Sequence, residues 1–218
     1  MDKKIKKIAE LIFSIALYEG YQTTLKQTII NLQNSPQDRI FQNPKDQYIF
    51  DDLYKAINFG SQFSKITVEI FKGINFKMNS LGEGQPEHPG MLRKNVPISV
   101  GDYVPLDTIT EEMVQWQLDA VQGSSIQSSW ELYARLAKLQ AFDNGNKRTS
   151  LICANINSGA LKDDTDNFLM IPTDYKRVQF DTNLYYYYMA DDRDEQLPDE
   201  QHSLNKFINF ASDISIKK

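Results

Sequence analysis

The apolar residues of this chain recur at helical spacing, and that regularity excludes most architectures. Ile5, Ile8, Ile12 and Ile15 fall on one face of a helix, the three-and-four spacing that lets a helix bury a stripe. Leu132, Leu136 and Leu139 repeat the pattern. Capping residues punctuate it: Thr24 with Gln27 and Ser128 with Glu131 read as capping boxes, and Thr110 as a further N-cap. Gly20 ends the first helix. Residues 35–46 read as a connecting loop rich in turn formers, and residues 47–76 as one or two helices carrying Leu53, Ile57, Phe63, Ile66 and Ile70. The expectation is a mainly α-helical bundle.

One segment breaks the pattern. Residues 79–90, "NSLGEGQPEHPG", form a Gly/Pro loop, and residues 91–106, "MLRKNVPISVGDYVPL", alternate enough to predict a short β-hairpin. Pro97 and Pro105 lack the N–H that a ladder needs, so an exposed edge is the expected position.

A length of 218 residues suits one domain with a real core and a small N-terminal appendage. The net charge of -5 argues against non-specific nucleic-acid binding, which draws on a surplus of Lys and Arg. The single cysteine, Cys153, excludes an internal disulfide or a cysteine-rich zinc site, and its apolar helical setting reads as a buried small hydrophobe. The Lys-rich start does not read as a signal peptide, because Glu10 interrupts its apolar run and no small-residue cleavage site follows. No stretch is long enough to span a membrane, and the expected compartment is the cytoplasm.

The chemistry concentrates in residues 140–149, "QAFDNGNKRT". Phe142 ends one helix, Asp143–Asn146 turn the chain, with Gly145 able to adopt positive φ, and Lys147 begins the next helix. Free N–H groups at such a start, reinforced by the helix dipole, form an anion nest. Lys147 and Arg148 in the first turn run against the acidic preference there. That conflict points to a phosphate, because local rules tend to fail where function sits; a solvated basic corner is the alternative. His88 and His202 are the only histidines, and His88 reads as an exposed loop residue before the hairpin.

The segment resembles the signature of Fic/Doc (Fido) proteins, His-x-Phe-x-(Asp/Glu)-(Gly/Ala)-Asn-(Gly/Lys)-Arg-Thr, with Phe142, Gly145, Asn146, Lys147, Arg148 and Thr149 in register. Residues 91–106 resemble the family's flap, with Arg93 at its usual arginine position and Val96, Ile98 and Val100 along it, and residues 168–175 resemble its closing segment. The resemblance implies a Fic-type helical bundle over residues 47–218, with residues 1–46 as N-terminal helices. It implies AMP transfer from ATP to a protein hydroxyl, with the motif His as base and the acid holding Mg²⁺. Gly145, Asn146, Lys147 and Arg148 would bind phosphate, and Phe142 would anchor the loop. Gln140 stands where the His belongs and Asn144 where the acid belongs. An amide accepts no proton, and a general base contributes about 10²–10⁴-fold. Asn144 offers Mg²⁺ a carbonyl without charge, and Asp143 is the second metal candidate if the turn is reshaped. "SIALYEG" resembles the family's inhibitory helix, with Glu19 in place but Ile15 at its Ser/Thr position. Leu151 replaces the usual arginine partner, so Glu19 would need Arg148 or Arg93.

Three functions follow. The first binds ATP or another nucleotide, with Mg²⁺, at the loop and a protein partner at the flap, with transferase chemistry lost or strongly reduced. The second is an active adenylyltransferase or Doc-like phosphotransferase. The third is a ligand-free helical interaction module. The intact Gly145–Arg148 run favours the first over the third, and the loss of two catalytic residue types favours it over the second.

Overall fold

In the computed structural model, described over residues 2–162, 167–191 and 199–216, the periodic stretches become nine helices among the described residues. They are α1 Lys3–Ala16, α2 Leu25–Gln33, α3 Pro44–Gly60, α4 Val68–Phe76, α5 Glu111–Asp119, α6 Ile126–Leu139, α7 Asn146–Asn157, α8 Lys176–Met189 and α9 Glu200–Ile216. None of them is long and apolar enough to cross a membrane. A 3-10 turn, Leu17–Glu19, extends α1 to Gly20.

The helix starts follow side-chain chemistry. Asp2, Thr24, Asn43, Thr67, Thr110 and Ser125 each accept a backbone N–H from the first turn of the helix that follows, satisfying a donor the helix cannot. Two expectations change. The predicted box at Ser128 and Glu131 gives way to Ser125, which lies extended and accepts the Ser128 N–H at 3.1 Å. Glu131 instead pairs with Arg135 one turn along, at 2.8 Å. The predicted loop at 35–46 ends at Asn43, because Pro44 fits the first helical position, where no N–H is needed.

The predicted hairpin does not form a strand ladder. Among the described residues its β-structure is one antiparallel bridge, Val100 to Tyr103. Pro97 and Pro105 cannot donate, and the Arg93 guanidinium takes the carbonyls of Val96 and Leu106, both at 2.5 Å. The segment is a tied loop.

At the centre, α6 packs on α7 and α9, while α3 and α4 flank α7. Trp130 and Tyr133 of α6, Phe180 of α8 and Phe207 of α9 form an aromatic cluster, with Phe180 and Phe207 centroids 5.1 Å apart. Cys153 is buried among apolar residues of α7, and burial pushes its thiol up and keeps it protonated. Leu11, Ile12 and Ile15 of α1 belong to the same core, and the 3-10 turn that follows α1 brings Tyr18 and Glu19 to Lys147 and Arg148 of α7. The buried Asp46 carboxylate fixes the turn after it. Its Oδ2 accepts the Thr23 N–H at 2.6 Å and the Thr23 hydroxyl at 2.5 Å, and its Oδ1 the Gln22 N–H at 3.1 Å.

Asp46→Ala is expected to cost about 1.5–3 kcal/mol, the range for hydrogen bonds to a charged group. Urea unfolding measures it, and a loss below about 0.5 kcal/mol would mean that this carboxylate does not hold α1 in place.

Candidate functional site

The turn between α6 and α7 is built by three side chains that face inward. Gln140 lies in the left-handed region, φ 49°, a conformation that costs a non-glycine residue about 1–2 kcal/mol. Its amide is held at both ends: Nε2 donates to the Ala137 carbonyl at 2.7 Å, and Oε1 accepts from Asn146 Nδ2 at 3.1 Å. Asn146 also bridges Phe142, accepting its N–H and donating to its carbonyl, both at 2.8 Å. Phe142 is fully buried, its ring 4.8 Å from that of Phe71. The Asn146 side chain is thus spent on the turn, and only its backbone N–H faces outward chemistry. Gly145 takes φ +79°, and a Cβ there would come within 2.9 Å of Asn75 Nδ2. No side chain caps α7, so its first N–H groups are open to an anion.

Arg148 is 1% exposed. Its Nη1 donates to Gln85 Oε1 at 2.9 Å, and its Nη2 to the Gly84 carbonyl and to Asn144 Oδ1, the latter at 3.1 Å. Glu19 Oε1 lies 3.2 Å from Nε as an ion pair, although Nε makes no aligned hydrogen bond. Burial pulls the guanidinium below its ordinary value, and Glu19 opposes that pull; an arginine stays charged throughout. Lys147, beside it, is partly buried with its ammonium 4.4 Å from the centroid of the Tyr18 ring.

The acidic candidates separate. Asn144 Oδ1 accepts the Gly145 N–H at 2.7 Å as well as Arg148, which leaves it poorly placed for a metal. Asp143 Oδ2 accepts the His88 N–H at 2.9 Å and lies 3.0 Å from His88 Nδ1, while Oδ1 is buried without a hydrogen-bond partner. His88 is exposed, and it is also the imidazole tied to the motif. Among the described residues no three His, Cys, Asp or Glu side chains gather as a metal cluster.

A cleft of about 410 Å³ opens between these groups, lined by Tyr18 and Glu19, by Ile98, Ser99 and Val100, and by Gln140 and Asp143–Arg148. Val96 is 37% exposed and is not among the lining residues. Arg93 is buried and points away from any ligand role: Nε donates to the Gln140 carbonyl at 2.7 Å, and the remaining donors hold Val96 and Leu106. It ties the flap to the motif turn. Burial lowers its guanidinium, with Asp107 opposing.

Residues 84–90, legible in the sequence only as part of a Gly/Pro loop, form a strap over the motif turn. Besides Gly84 and Gln85 on Arg148 and His88 on Asp143, the Gly90 N–H reaches Asn75 Oδ1 at 2.8 Å. The pairs to Arg148 and Asp143 join residues more than fifty positions apart, beyond the reach of any local pattern. Tyr18, whose ring also carries Arg177 Cζ 4.1 Å from its centroid, was likewise not legible in the sequence.

Comparison with known proteins bears on this arrangement. No family model and no curated protein sequence matches the chain. Solved structures do. A Fic domain-containing signaling protein from Bacteroides thetaiotaomicron superposes with a TM-score of 0.71 at 14% identity, over 99% of this chain and 86% of that one. Residues 134–508 of Fic-1 from C. elegans give 0.62 at 13% identity over 95% of this chain, and the E274G variant gives 0.63 at 14% over 96%. This chain spans 61% of the length of either C. elegans chain. The chain has the fold of Fic-domain proteins.

Arg93→Ala should release the flap. Hydrogen exchange at the amides of Val96 and Ile109, bonded to Asp107 and Arg93 carbonyls at 3.0 and 2.9 Å, is expected to rise about tenfold or more, the scale of one charge-assisted bond. Unchanged exchange would show that the flap holds itself.

Proposed function

We propose that this Fic-fold chain is a cytoplasmic protein that binds a nucleotide through its phosphates at Gly145–Arg148 and a protein partner at the flap, with transferase chemistry lost or strongly reduced. The observation that carries the reading is Gln140. The position of the base is filled by an amide that cannot titrate, and whose two ends are already hydrogen-bonded within the turn. Turning it outward would break its bonds to Asn146 Nδ2 and to the Ala137 carbonyl. Active transfer, the second reading, would need a different base and would forgo the usual contribution of about 10²–10⁴-fold.

Nucleotide binding is supported by the uncapped start of α7 at the floor of the cleft, with Lys147 and Arg148 in its first turn. An anion there gains the backbone N–H groups, the dipole and two cations. A ligand-free module would leave those features unused, at a cost. Of the metal candidates, Asp143 fits better than Asn144, because its unpartnered Oδ1 is a carboxylate on the cleft wall. Mg²⁺ is commonly held by one or two carboxylates together with substrate phosphates, and it would neutralise charge on the nucleotide.

Glu19 makes this a closed form. Its carboxylate sits on the guanidinium that a phosphate would use, so nucleotide and Glu19 compete for one cation. Calorimetry with ATP and Mg²⁺ tests this. Glu19→Gly should tighten binding about tenfold, and Arg148→Ala in that background should weaken it by about 1.5–3 kcal/mol, the range for a charge-assisted hydrogen bond. Equal affinities in all three proteins would remove the motif loop as the site. Gln140→His with Asn144→Asp should raise self-labelling by ATP about 10²-fold or more over the wild type. Strong wild-type labelling that survives Gln140→Ala would establish the active-transferase reading instead.

A further inference from the structure

A second cavity, of about 480 Å³, shares no lining residue with the motif cleft. Its volume falls within the range of small-molecule sites, about 300–1,000 Å³. Four helices and the segment leading into α8 meet around it. They are α1 with Phe13 and Ser14, the start of α2 with Leu25, residues 170–174, the start of α8 with Lys176, and the end of α9 with Ile214. Within residues 170–174, Met170, Ile171 and Pro172 are buried and give the cavity apolar walls. Ser14 accounts for the open space. It is 2% exposed, and its hydroxyl turns back to the Leu11 carbonyl at 2.9 Å. A buried position on an amphipathic helix thus carries one of the smallest side chains, and the volume beside it stays unfilled.

The charged residues of the lining are unbalanced. Lys6, Lys7 and Lys176 stand against Glu10 and Asp174, in a chain whose net charge is -5. Lys6 and Lys7 lie 3.7 and 3.6 Å from Glu10, so two ammonium groups share one carboxylate at more than hydrogen-bond length. Lys176 makes no ion pair among the described residues, and the nearby Asp174 carboxylate accepts its backbone N–H at 3.0 Å. Apolar walls and incompletely neutralised ammonium groups therefore surround one space.

We propose that this cavity binds a small anionic amphiphile, a carboxylate on an aliphatic body. The body lies against Phe13, Met170 and Pro172, where its burial releases water from both surfaces, and the head group lies among Lys6, Lys7 and Lys176. A neutral ligand would leave the lysines without an anion, and a cationic one would be repelled by them. A membrane surface fits less well, because Met170, Ile171 and Pro172 are buried in the wall of a concavity and do not protrude. The site is independent of nucleotide binding at the motif loop, and both ligands can be held at once.

The test is a titration of the full chain, carrying methyl-labelled methionines, with octanoate, octanol and octylammonium. The Met170 methyl signal should shift saturably with octanoate. That of Met78, whose Cε lies beside Gly145 of the motif turn, should stay in place. Octanoate should bind about tenfold or more tighter than octanol and octylammonium, the scale of one charge-assisted hydrogen bond. Lys176→Glu should weaken octanoate about tenfold and leave octanol within about twofold. Ser14→Leu, which fills the space, should weaken both about tenfold or more. Thermal melting shows whether Ser14→Leu folds, and the Lys176 arm stands if it does not. A still Met170 signal, octanol or octylammonium binding as tightly as octanoate, or unchanged affinity in Lys176→Glu would overturn the site. So would displacement of octanoate by ATP, which would place it in the motif cleft. Attachment to vesicles of anionic phospholipid without uptake of free octanoate would make the lysines a membrane contact and also overturn it. Octanoate binding in a chain that binds no ATP would leave this site standing and remove the nucleotide reading alone.

Discussion

The buried guanidinium of Arg148 is the constraint on which the rest of the structure depends. A charge 1% exposed costs several kcal/mol of desolvation unless its surroundings return the lost hydrogen bonds and neutralise it. Three separate parts of the chain do so here: the 3-10 turn after α1 through Glu19, the strap through Gly84 and Gln85, and the motif turn through Asn144. One side chain thus fastens the N-terminal helix and the strap to the functional loop. The partners are unequal. Gln85, Gly84 and Asn144 give directed hydrogen bonds, whereas Glu19 gives charge without an aligned bond to Nε. Charge is what a phosphate also supplies, so under the proposed function Glu19 is the partner that a ligand would replace.

Arg93 repeats the logic without a carboxylate in contact. Its donors go to three backbone carbonyls, those of Gln140, Val96 and Leu106, so no anion is invited and none is needed. Arg93 of the flap and Arg148 of the motif therefore divide the work. One holds the flap beside the cleft permanently, and the other is held by a contact that can be exchanged. The difference lies in their acceptors.

The sequence carried most of the fold and about half of the site, and the reason differs by element. Helices were legible because capping and periodicity are local: Thr24, Thr110 and the isoleucines of α1 act within one or two turns. The start of α6 was misplaced by one turn because four serines in close succession offer competing caps, and only geometry selects Ser125. The flap was misjudged because alternation reports side-chain direction and says nothing of carbonyls already taken by an arginine. At the site, the motif and the approach of Glu19 to it were readable from spacing and resemblance. The strap, the Asp143–His88 pair and the Tyr18–Arg177 stack were not, since each joins distant residues with no pattern of their own.

The central claim is that Glu19 and a nucleotide phosphate compete for Arg148. The most direct measurement follows the Arg148 Nε–Hε signal in arginine-labelled protein during titration with ATP, alongside Glu19→Gln without ligand. The account predicts a saturable shift on ATP addition that begins from the Glu19-paired position, and a comparable displacement when Glu19 loses its charge. A signal that answers to Glu19→Gln but stays fixed at saturating ATP would show that the nucleotide never reaches this guanidinium, and would contradict the account.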